Sequence, residues 1–443
     1  MTADPLSTLV QRLSTRKARV GVVGLGYVGL PLVRAMHDAG FEVVGFDIDA
    51  GKIDMLRAGR AYLKHLGADL VEALAKSPRF TPTHDPQELG GCDAIAVCVP
   101  TPLGKHQEPD LSFVEQSMRM VAGVLKPGAL VSLESTTYPG TTRELCLPIL
   151  EQGGRRALGR DFFLVFSPER EDPGRQGVET RTIPRLVGGV DEASTKAGVA
   201  LYSAAIDKVI AVESAEVAEA AKLLENIYRS VNIALVNELK PVLSDMGIDI
   251  WQVIRAAATK PFGFQPFYPG PGLGGHCIPI DPYYLTYKAR EYGHVTRFIE
   301  LAGEVNHQMP RYVVDRTAEA LNQDGKPVKG SSVLVVGIAY KPNVDDIRET
   351  PAAEIIQLLL DRGANVSYHD PHVPRFPGMR KYSIDLQSVD LTPGTVAGAD
   401  CVLIVTDHRA VDYNLLGASA GLIVDTRDAM SGVAGCRARV VKA

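Results

Sequence analysis

One of the six cysteines lies in a loop whose composition keeps it outside any helix or strand. Residues 269–281 read PGPGLGGHCIPID, and the first eleven of them include four glycines and three prolines. A thiol displayed on such rigid, irregular backbone predicts a nucleophile at Cys277, against the plainer interpretation of a small apolar gap-filler. His276 could lower the pKa of this thiol or make a structural hydrogen bond. Asp281 could act in the same pocket or, as part of Asp-Pro, form a turn.

Two further groups of polar residues have spacings that suit catalysis. Lys222 and Asn226 are four residues apart, so on a helix they project from the same face. An ammonium and a carboxamide placed together can stabilise an oxyanion, although helical lysines are usually just solvated. Glu169 and Arg170 close the sequence SPER directly after an apolar run. A carboxylate at the carboxyl end of a strand faces the ligand crevice of an open α/β sheet, although an ordinary loop glutamate fits the local pattern equally well.

A glycine-rich turn near the N-terminus predicts a dinucleotide site. Gly24, Gly26 and Gly29 form G-x-G-x-x-G between an apolar strand pattern and a helical pattern, and Asp47 follows the next strand, 23 positions after Gly24. The glycines permit a tight turn, close approach to a pyrophosphate and close helix–strand packing. Asp47 would accept hydrogen bonds from the adenosine ribose and repel a 2′-phosphate, which favours NAD over NADP. The alternative is a βαβ unit whose glycines serve packing alone.

Composition excludes several other classes of protein. The 443 residues carry a net charge of −5, which is a poor match for a non-specific binder of nucleic acid or anionic membrane. No stretch approaches the roughly 20 apolar residues of a membrane span, and the N-terminus lacks the pattern of a signal peptide. Six cysteines without a C-x-x-C pair predict neither a disulfide framework nor a structural zinc site, so no metal is expected. The expected location is the cytoplasm.

The elements that must position these residues repeat one pattern twice. Apolar runs bounded by glycine predict strands of one parallel sheet at 18–24, 43–46, 93–99, 129–133, 162–166 and 185–189, with a helix at 30–39. In the C-terminal third, strands are predicted at 333–337, 401–405 and 422–425, with a helix at 350–362. Gly363 precedes Asp370 by seven positions, as Gly40 precedes Asp47. The second copy has GIAYK in place of the glycine fingerprint.

Between the two copies, glycine becomes scarce and helix-forming residues dominate. Residues 213–246 predict one long helix or two consecutive ones, with Pro241 as the kink or break, and 248–258 and 284–309 add further helix. The predicted fold is therefore α/β, with two Rossmann-like doubly wound domains joined by a long central helical segment. The expected domains are 1–208 for NAD, 209–312 for the helical dimerisation segment with the cysteine loop, and 313–443 for the second Rossmann-like domain.

Seven motifs in order resemble the nucleotide-sugar 6-dehydrogenases, the family that includes the UDP-glucose and GDP-mannose dehydrogenases. They are GLGYVGLP (24–31), VPTP (99–102), ESTTYPGTT (134–142), SPER (167–170), AKLLEN (221–226), GGHC (274–277) and YKPNVDDIRE (340–349). The resemblance extends from about residue 18 to 428. It implies an N-terminal NAD domain, a helical dimerisation segment, a C-terminal UDP-sugar domain, and a homodimer or higher homo-oligomer.

The resemblance also implies roles for single residues. It makes Cys277 the nucleophile, Lys222 and Asn226 the oxyanion-stabilising pair, and Glu169 the residue that handles the hydrolytic water, with Asp281 and Thr136 also catalytic. The implied NAD contacts are Gly24, Gly26, Tyr27, Val28, Gly29, Asp47, Lys52, Thr101, Thr136 and Arg348. The implied substrate contacts are Glu169, Arg170, Lys222, Asn226, Lys260, Tyr268, Gly274 and Lys341.

Oxidation of a primary alcohol to a carboxylate explains why such residues are needed. It takes two hydride transfers and two NAD molecules, and the intermediate aldehyde yields its second hydride only after a nucleophile has added to it. Within the family, residues 260–285 look most like the branch acting on UDP-N-acetylglucosamine, which would supply a bacterial surface polysaccharide. UDP-N-acetylmannosamine, UDP-N-acetylgalactosamine and UDP-glucose remain alternative substrates. Rival functions are a non-catalytic nucleotide-sugar-binding protein and a two-electron hydroxyacid dehydrogenase.

Overall fold

The chain folds around two β-sheets, each within its own unit. The computed structural model describes residues 4–63, 68–104, 106–170, 180–275, 277–379 and 381–443. The N-terminal unit comprises Met1–Glu225 and Tyr283–His294, and the C-terminal unit comprises Asn226–Pro282 and Val295–Ala443. The predicted three-part division at residues 208 and 312 stays a prediction.

Strands and helices alternate through most of both units. The strands are β1 (Arg19–Val23), β2 (Glu42–Phe46), β3 (Phe80–Thr83), β4 (Ala94–Val97), β5 (Ala129–Leu133), β6 (Phe162–Phe166), β7 (Arg185–Gly189), β8 (Val209–Ala211), β9 (Ser332–Val336), β10 (Asn365–His369), β11 (Cys401–Ile404), β12 (Leu422–Asp425) and β13 (Arg439–Lys442). The helices are α1 (Pro5–Ser14), α2 (Gly29–Asp38), α3 (Ala50–Arg57), α4 (Ala68–Ala75), α5 (Ser112–Val124), α6 (Leu147–Glu151), α7 (Glu192–Tyr202), α8 (Ala215–Asp245), α9 (Ile250–Ala257), α10 (Asp281–Glu291), α11 (Arg297–Gln323), α12 (Pro351–Asp361), α13 (Pro393–Ala397) and α14 (Tyr413–Ser419).

The sheet of the N-terminal unit has the strand order of a dinucleotide-binding fold. The order is β3-β2-β1-β4-β5-β6-β7-β8, and all neighbours from β3 to β6 are parallel. The predicted parallel arrangement is wrong at β7, where the chain reverses: β7 pairs antiparallel with β6 and parallel with β8. The first six strands thus reproduce the doubly wound order 3-2-1-4-5-6, in which β1 lies beside the point where the order reverses.

Helices cover both faces of this sheet because the strands are apolar on both sides. Val20 and Val22 of β1 pack into one cluster with residues of α1, α2 and α7. Val23 faces the opposite cluster, to which α5 and α6 contribute. Burial on both faces explains why the strands consist of continuous apolar runs and could be predicted from them.

The sheet of the C-terminal unit is a second parallel sheet. Its order is β10-β9-β11-β12-β13, with every neighbouring pair parallel. Numbered within the unit, this is 2-1-3-4-5, the other common doubly wound order. The prediction of two Rossmann-like α/β domains with a long central helix is confirmed.

The central helices differ from the prediction in their boundaries. α8 is one uninterrupted helix of 31 residues, and Pro241 lies inside it, so near the C-terminal end that only the last turn follows. The helix predicted over 284–309 is two helices, because Gly293 adopts φ +74° just beyond α10 and ends it. α11 then continues through Pro310 to Gln323, 14 residues past the predicted end.

Candidate active site

The turn between β1 and α2 has the geometry of a phosphate cradle. Gly24 adopts φ +89°, and a Cβ there would lie 2.5 Å from the backbone oxygen of Cys98. Gly29 begins α2, and a Cβ there would lie 1.8 Å from the backbone oxygen of Gly24. A Cβ on Gly26 would meet nothing within 4 Å, so the turn is open at this position. Only glycine therefore fits at two of the three positions, and the third leaves backbone accessible to a ligand.

Asp47 follows β2 and holds this turn from the side. Its buried carboxylate accepts hydrogen bonds from the backbone N–H groups of Leu25 (2.9 Å) and Asp49 (3.0 Å), and the Lys52 ammonium lies 3.2 Å away. The hydroxyl of Tyr62 donates to the backbone oxygen of Leu25 at 2.5 Å. Burial raises the pKa of Tyr62, so this hydroxyl stays a donor. Tyr62 is absent from the sequence-based prediction because it belongs to none of the motifs.

These residues fit the adenosine diphosphate half of NAD. Tyr27 and Val28 are half-buried and complete the turn between Gly26 and the start of α2. The open backbone at Gly26 and the first N–H groups of α2 suit a pyrophosphate, and the Asp47 carboxylate suits the ribose hydroxyls.

The loops that carry Thr101 and Thr136 follow β4 and β5 and are hydrogen-bonded to each other. The hydroxyl of Ser135 donates to the backbone oxygen of Val99 (2.7 Å) and accepts from its N–H (2.9 Å). Thr101 is buried, whereas Thr136 is half-buried. The carboxyl ends of these adjacent parallel strands therefore place both threonines on the edge of the sheet that carries the cradle.

A buried ionic network, which no motif predicted, anchors the loop starts beyond β5 and β6. The Glu134 carboxylate forms an ion pair with Arg185 and accepts a hydrogen bond from the Tyr202 hydroxyl (2.5 Å). Arg185 also donates to the hydroxyl of Ser167 (2.9 Å). The network fixes the residues from which the loops to Thr136 and Glu169 begin. Its members are far apart in the chain, so local spacing carries no signal for it.

Glu219 ties α8 to the loop that follows β5. Its buried carboxylate accepts hydrogen bonds from the N–H groups of Gly140 (2.7 Å) and Thr142 (2.9 Å) and from the Thr142 hydroxyl (2.7 Å). Burial raises the pKa of Glu219 to about 7, although these three donors pull it in the opposite direction. Lys222 is one turn further along α8, so Glu219 also fixes the part of the helix that carries Lys222.

The N-terminal unit brings together three predicted site residues from two regions of the chain. The buried ammonium of Lys222 donates to the backbone oxygen of Glu169 at 2.6 Å. Arg170 forms an ion pair with Glu225 and donates to the backbone oxygen of Pro184 (2.9 Å). The structure thus holds Lys222 against the backbone of the SPER loop, and it engages Arg170 with a carboxylate of the protein.

The C-terminal unit brings together Cys277, Asp281 and Asn226. The Asn226 carboxamide donates to the Asp281 carboxylate at 2.6 Å, and both side chains are buried. The N–H of Asp281 donates to the backbone oxygen of Cys277 (2.8 Å), so the half-buried cysteine lies at the turn that leads into α10. His276 lies outside the described residues. Because Lys222 and Asn226 belong to one continuous helix, α8 presents them one turn apart, as their spacing predicted.

The loop 340–349 packs against the glycines that precede the cysteine. A Cβ on Gly274 would lie 2.6 Å from the Cβ of Tyr340, and Gly275, at φ +83°, donates its N–H to the backbone oxygen of Arg348 (2.9 Å). The Arg348 guanidinium forms an ion pair with Asp346 (2.6 Å). Lys341 lies on the same loop, with its ammonium 5.6 Å from the centre of the Tyr340 ring.

Two predicted substrate contacts lie on the surface of the C-terminal unit. Lys260 is exposed and packs over the ring of Phe262, 5.0 Å from its centre. Tyr268 is exposed as well. The nearby rings of Phe262 and Phe264 are also exposed, which makes the segment before the cysteine loop an apolar surface.

Three consecutive parts of the sequence match the domains of one enzyme family. Residues 18–206 match the NAD binding domain of the UDP-glucose/GDP-mannose dehydrogenase family, 216–308 its central domain, and 334–432 its UDP binding domain. The chain belongs to this family. It is therefore an NAD-dependent nucleotide-sugar dehydrogenase with a UDP-sugar substrate.

Similar proteins agree with this assignment over almost the whole chain. The UDP-N-acetyl-D-glucosamine 6-dehydrogenase of Pseudomonas aeruginosa is 39% identical over 83% of this chain and 86% of its own length. Protein CapL of Staphylococcus aureus is 34% identical over 92% and 95%, respectively. The structure of the UDP-D-ManNAc dehydrogenase of Pyrococcus horikoshii superposes with a TM-score of 0.85, at 32% identity, over 96% of this chain and 99% of that one. Within the described residues, no helix has both the length and the hydropathy to span a membrane.

Proposed function

We propose that this dehydrogenase oxidises the C6 hydroxymethyl group of UDP-N-acetylglucosamine to the 6-uronic acid, with Cys277 as the covalent nucleophile. Overall, two hydrides leave C6, one water supplies the second carboxylate oxygen, and three protons are released. NAD, when bound, accepts one hydride, so each sugar requires two molecules. The product is a precursor for a bacterial surface polysaccharide.

Cys277 is needed between the two oxidations. Its thiolate adds to the C6 aldehyde, so that a C–S bond forms and the carbonyl electron pair moves to oxygen. Lys222 and Asn226 stabilise this oxyanion through an ammonium and a carboxamide N–H. Loss of the second hydride gives a thioester. Water, activated at Glu169, then attacks the carbonyl carbon, the C–S bond breaks, and the thiolate leaves.

One observation carries this mechanism: the buried contact of Asn226 with Asp281, next to Cys277. Asp281 accepts from the Asn226 carboxamide and donates its backbone N–H to the Cys277 carbonyl. The NH₂ group of Asn226 has two N–H donors. Because one of them is held by the Asp281 carboxylate, the direction of the other is fixed. A gap-filling cysteine would need no such arrangement, and a two-electron dehydrogenase would need no cysteine at all.

The choice of sugar is supported by the loop before Cys277 and by the relatives. The relative with 39% identity is named for UDP-N-acetylglucosamine, whereas the archaeal structure at 32% identity is named for the C2 epimer. UDP-N-acetylmannosamine, UDP-N-acetylgalactosamine and UDP-glucose differ from the proposed substrate at C2 or C4. One or two contacts distinguish such sugars, so turnover must decide among them.

A panel of these four UDP-sugars with NAD tests the proposal. We expect turnover with UDP-N-acetylglucosamine and two NADH per sugar consumed. Turnover with another member alone would correct the sugar, and one NADH per sugar would contradict the thioester route.

Replacement of the nucleophile separates the first oxidation from the second. We expect Cys277→Ser to lower the rate of uronic acid formation by about 10³-fold or more, because the serine hydroxyl is a far weaker nucleophile at neutral pH. Cys436→Ser is the matched control, since Cys436 is also a half-buried free thiol of the C-terminal unit. Near-normal turnover of Cys277→Ser would remove Cys277 from the mechanism.

We also propose a homodimer formed through α8. From Tyr228 onward, α8 exposes an apolar stripe at three- to seven-residue spacings, formed by Tyr228, Leu235, Leu239, Val242 and, just beyond the end of the helix, Met246. An exposed stripe of this length is typical of a helix that pairs with another surface. Sedimentation equilibrium of the intact protein measures the mass that this proposal predicts, twice that of the chain. The six free thiols fit a reducing compartment such as the cytoplasm.

A further inference from the structure

A fully buried histidine of the C-terminal unit lies outside every predicted motif. His408 follows β11, and both it and its partner Asp370 are inaccessible to solvent. Its Nδ1 accepts a hydrogen bond from the backbone N–H of Asn343 (2.9 Å). A ring nitrogen that accepts carries no proton, so the proton is on Nε2, which donates to the Asp370 carboxylate (3.0 Å).

The residue that His408 holds is a strained point in the loop 340–349. Asn343 adopts φ +63°, a conformation that non-glycine residues rarely take. Its side chain accepts a hydrogen bond from the N–H of Arg409 (2.9 Å), the residue after His408. Two hydrogen bonds in opposite directions thus join the turn after β11 to the first part of this loop.

The far part of the same loop holds the backbone next to the nucleophile. Within the loop, the N–H of Tyr340 donates to the backbone oxygen of Asp346 (2.9 Å). Beyond it, the backbone oxygen of Arg348 accepts the N–H of Gly275, two residues before Cys277. At φ +83° the Gly275 Cα faces the Tyr340 ring, and a Cβ there would lie 2.8 Å from that ring. A shift of the loop would therefore be transmitted to Gly275.

We propose that His408 is a positioning residue for Cys277, acting through Asn343 and the loop 340–349. This rests on the proposed role of Cys277. The side-chain hydrogen bonds of His408 go to Asn343 and Asp370. Its contribution is to fix the loop whose Arg348 carbonyl and Tyr340 ring define the backbone conformation at Gly275.

Two substitutions separate the two hydrogen bonds of His408. His408→Asn places its carboxamide oxygen close to the position of Nδ1 and keeps an acceptor for Asn343. His408→Gln places its amide nitrogen close to the position of Nε2, keeps the donor to Asp370 and loses the acceptor. A general structural role makes the two variants equally damaging, whereas positioning through Asn343 makes His408→Gln the worse one.

Hydrogen exchange provides a readout that does not depend on catalysis. We expect His408→Gln to speed exchange of the Gly275 amide at least about tenfold, whereas His408→Asn stays within about threefold of the original chain. The kcat for the UDP-sugar should fall about tenfold or more in His408→Gln, because a misplaced nucleophile slows the reaction steeply. In His408→Asn, kcat should stay within about threefold of the original chain. The KM for NAD should not change.

Thr317→Val is the matched control for lost stability. It removes another buried hydrogen bond of the same unit, from the Thr317 hydroxyl to the backbone oxygen of Val313 within α11. Exchange at Gly275 should remain unchanged in this variant. If His408→Gln does not fold, Asn343→Ala replaces it, because it strains φ +63° and removes the bond to Arg409. Asn343→Gly also lacks the bond to Arg409 but relieves the strain, so it should restore part of the protection that Asn343→Ala loses.

Equal exchange at Gly275 in the Gln and Asn variants would overturn the proposal. Slower catalysis by His408→Gln with unchanged exchange would overturn it as well. Failure of the proposed function would be seen separately, as normal turnover by Cys277→Ser. The exchange rates at Gly275 in the His408 variants do not depend on that result.

Discussion

The two sheets begin with the same turn but only one of the turns is open. Gly24 after β1 and Gly337 after β9 adopt φ +89° and φ +79°. Each donates its N–H at 2.8 Å to the last residue of the neighbouring strand, Phe46 or His369. Two residues later the sequences diverge, because Gly26 faces open space whereas Ala339 is fully buried.

The acidic residues beside the two turns differ in the same way. Asp47 accepts from two backbone N–H groups and pairs with the half-exposed Lys52. The carboxylate of Asp370 accepts from five donors within its own unit, namely the N–H groups of Ile338, Ala339, His372 and Val373 and the His408 ring. One acid is left with capacity for a ribose, and the other holds its own turn together. A shared turn thus becomes a dinucleotide site only where the cradle is open and the carboxylate beside it keeps unused acceptor capacity.

A side chain placed at Gly26, in the open turn after β1, should have the largest effect on NAD affinity. We expect Gly26→Val to weaken NAD binding about 100-fold, which corresponds to about 2.7 kcal/mol, because its side chain fills the space that the pyrophosphate needs. Isothermal titration of NAD measures this. The melting temperature should hardly change, since a Cβ at Gly26 meets no neighbour.

The corresponding substitution in the second turn should lower stability and leave NAD affinity unchanged. Ala339→Val adds two methyl groups at a fully buried position, so we expect about 1–3 kcal/mol of lost stability and unchanged NAD affinity. An NAD affinity that falls equally in both variants would show that the two turns are not functionally distinct.

Substitution of Asp47 should weaken NAD binding, by less than Gly26→Val does, whereas substitution of Asp370 should lower stability. Asp47→Asn replaces a charged acceptor by a neutral one, so NAD binding should weaken about tenfold, with less discrimination against NADP. Asp370→Asn instead turns an amide N–H₂ toward buried donors and should lower the free energy of unfolding by about 2 kcal/mol, measured by urea titration.

Low pH should remove the contribution of the Asp370 carboxylate to folding stability. Burial alone would raise the pKa of Asp370, but the His408 ring and the backbone donors outweigh it and hold the pKa below its ordinary value of 3.8. A depressed carboxyl pKa stabilises the fold above pH 3.8, and that stability is lost as pH falls through the folded-state pKa. The difference between the original chain and Asp370→Asn should therefore shrink below about pH 4. A difference that stays constant down to pH 3 would argue against this role.

The strands and the glycine turn with its acidic residue could be predicted from the sequence, because each is determined by residues close together in the chain. Strands buried on both faces read as apolar runs, and Gly24 through Asp47 lie within one βαβ unit. Tyr62, Glu219 and His408 were missed because each bonds a backbone atom more than 30 residues away in the chain. The break at Gly293 was missed because helical periodicity on both sides hides one residue with positive φ.

The smallest expected effect concerns the hydroxyls that fix the two turns. Tyr62 donates to the backbone oxygen of Leu25, and the buried Thr406 donates to that of Ala339 (2.6 Å). Tyr62→Phe should weaken NAD binding about threefold, because Leu25 carries the N–H that holds Asp47. Thr406→Val should leave NAD binding unchanged and destabilise the protein by about 1 kcal/mol, because it leaves a buried carbonyl without this donor. If Thr406→Val weakened NAD binding as much as Tyr62→Phe, the second turn would have to be coupled to the first, and their separation by accessibility alone would be wrong.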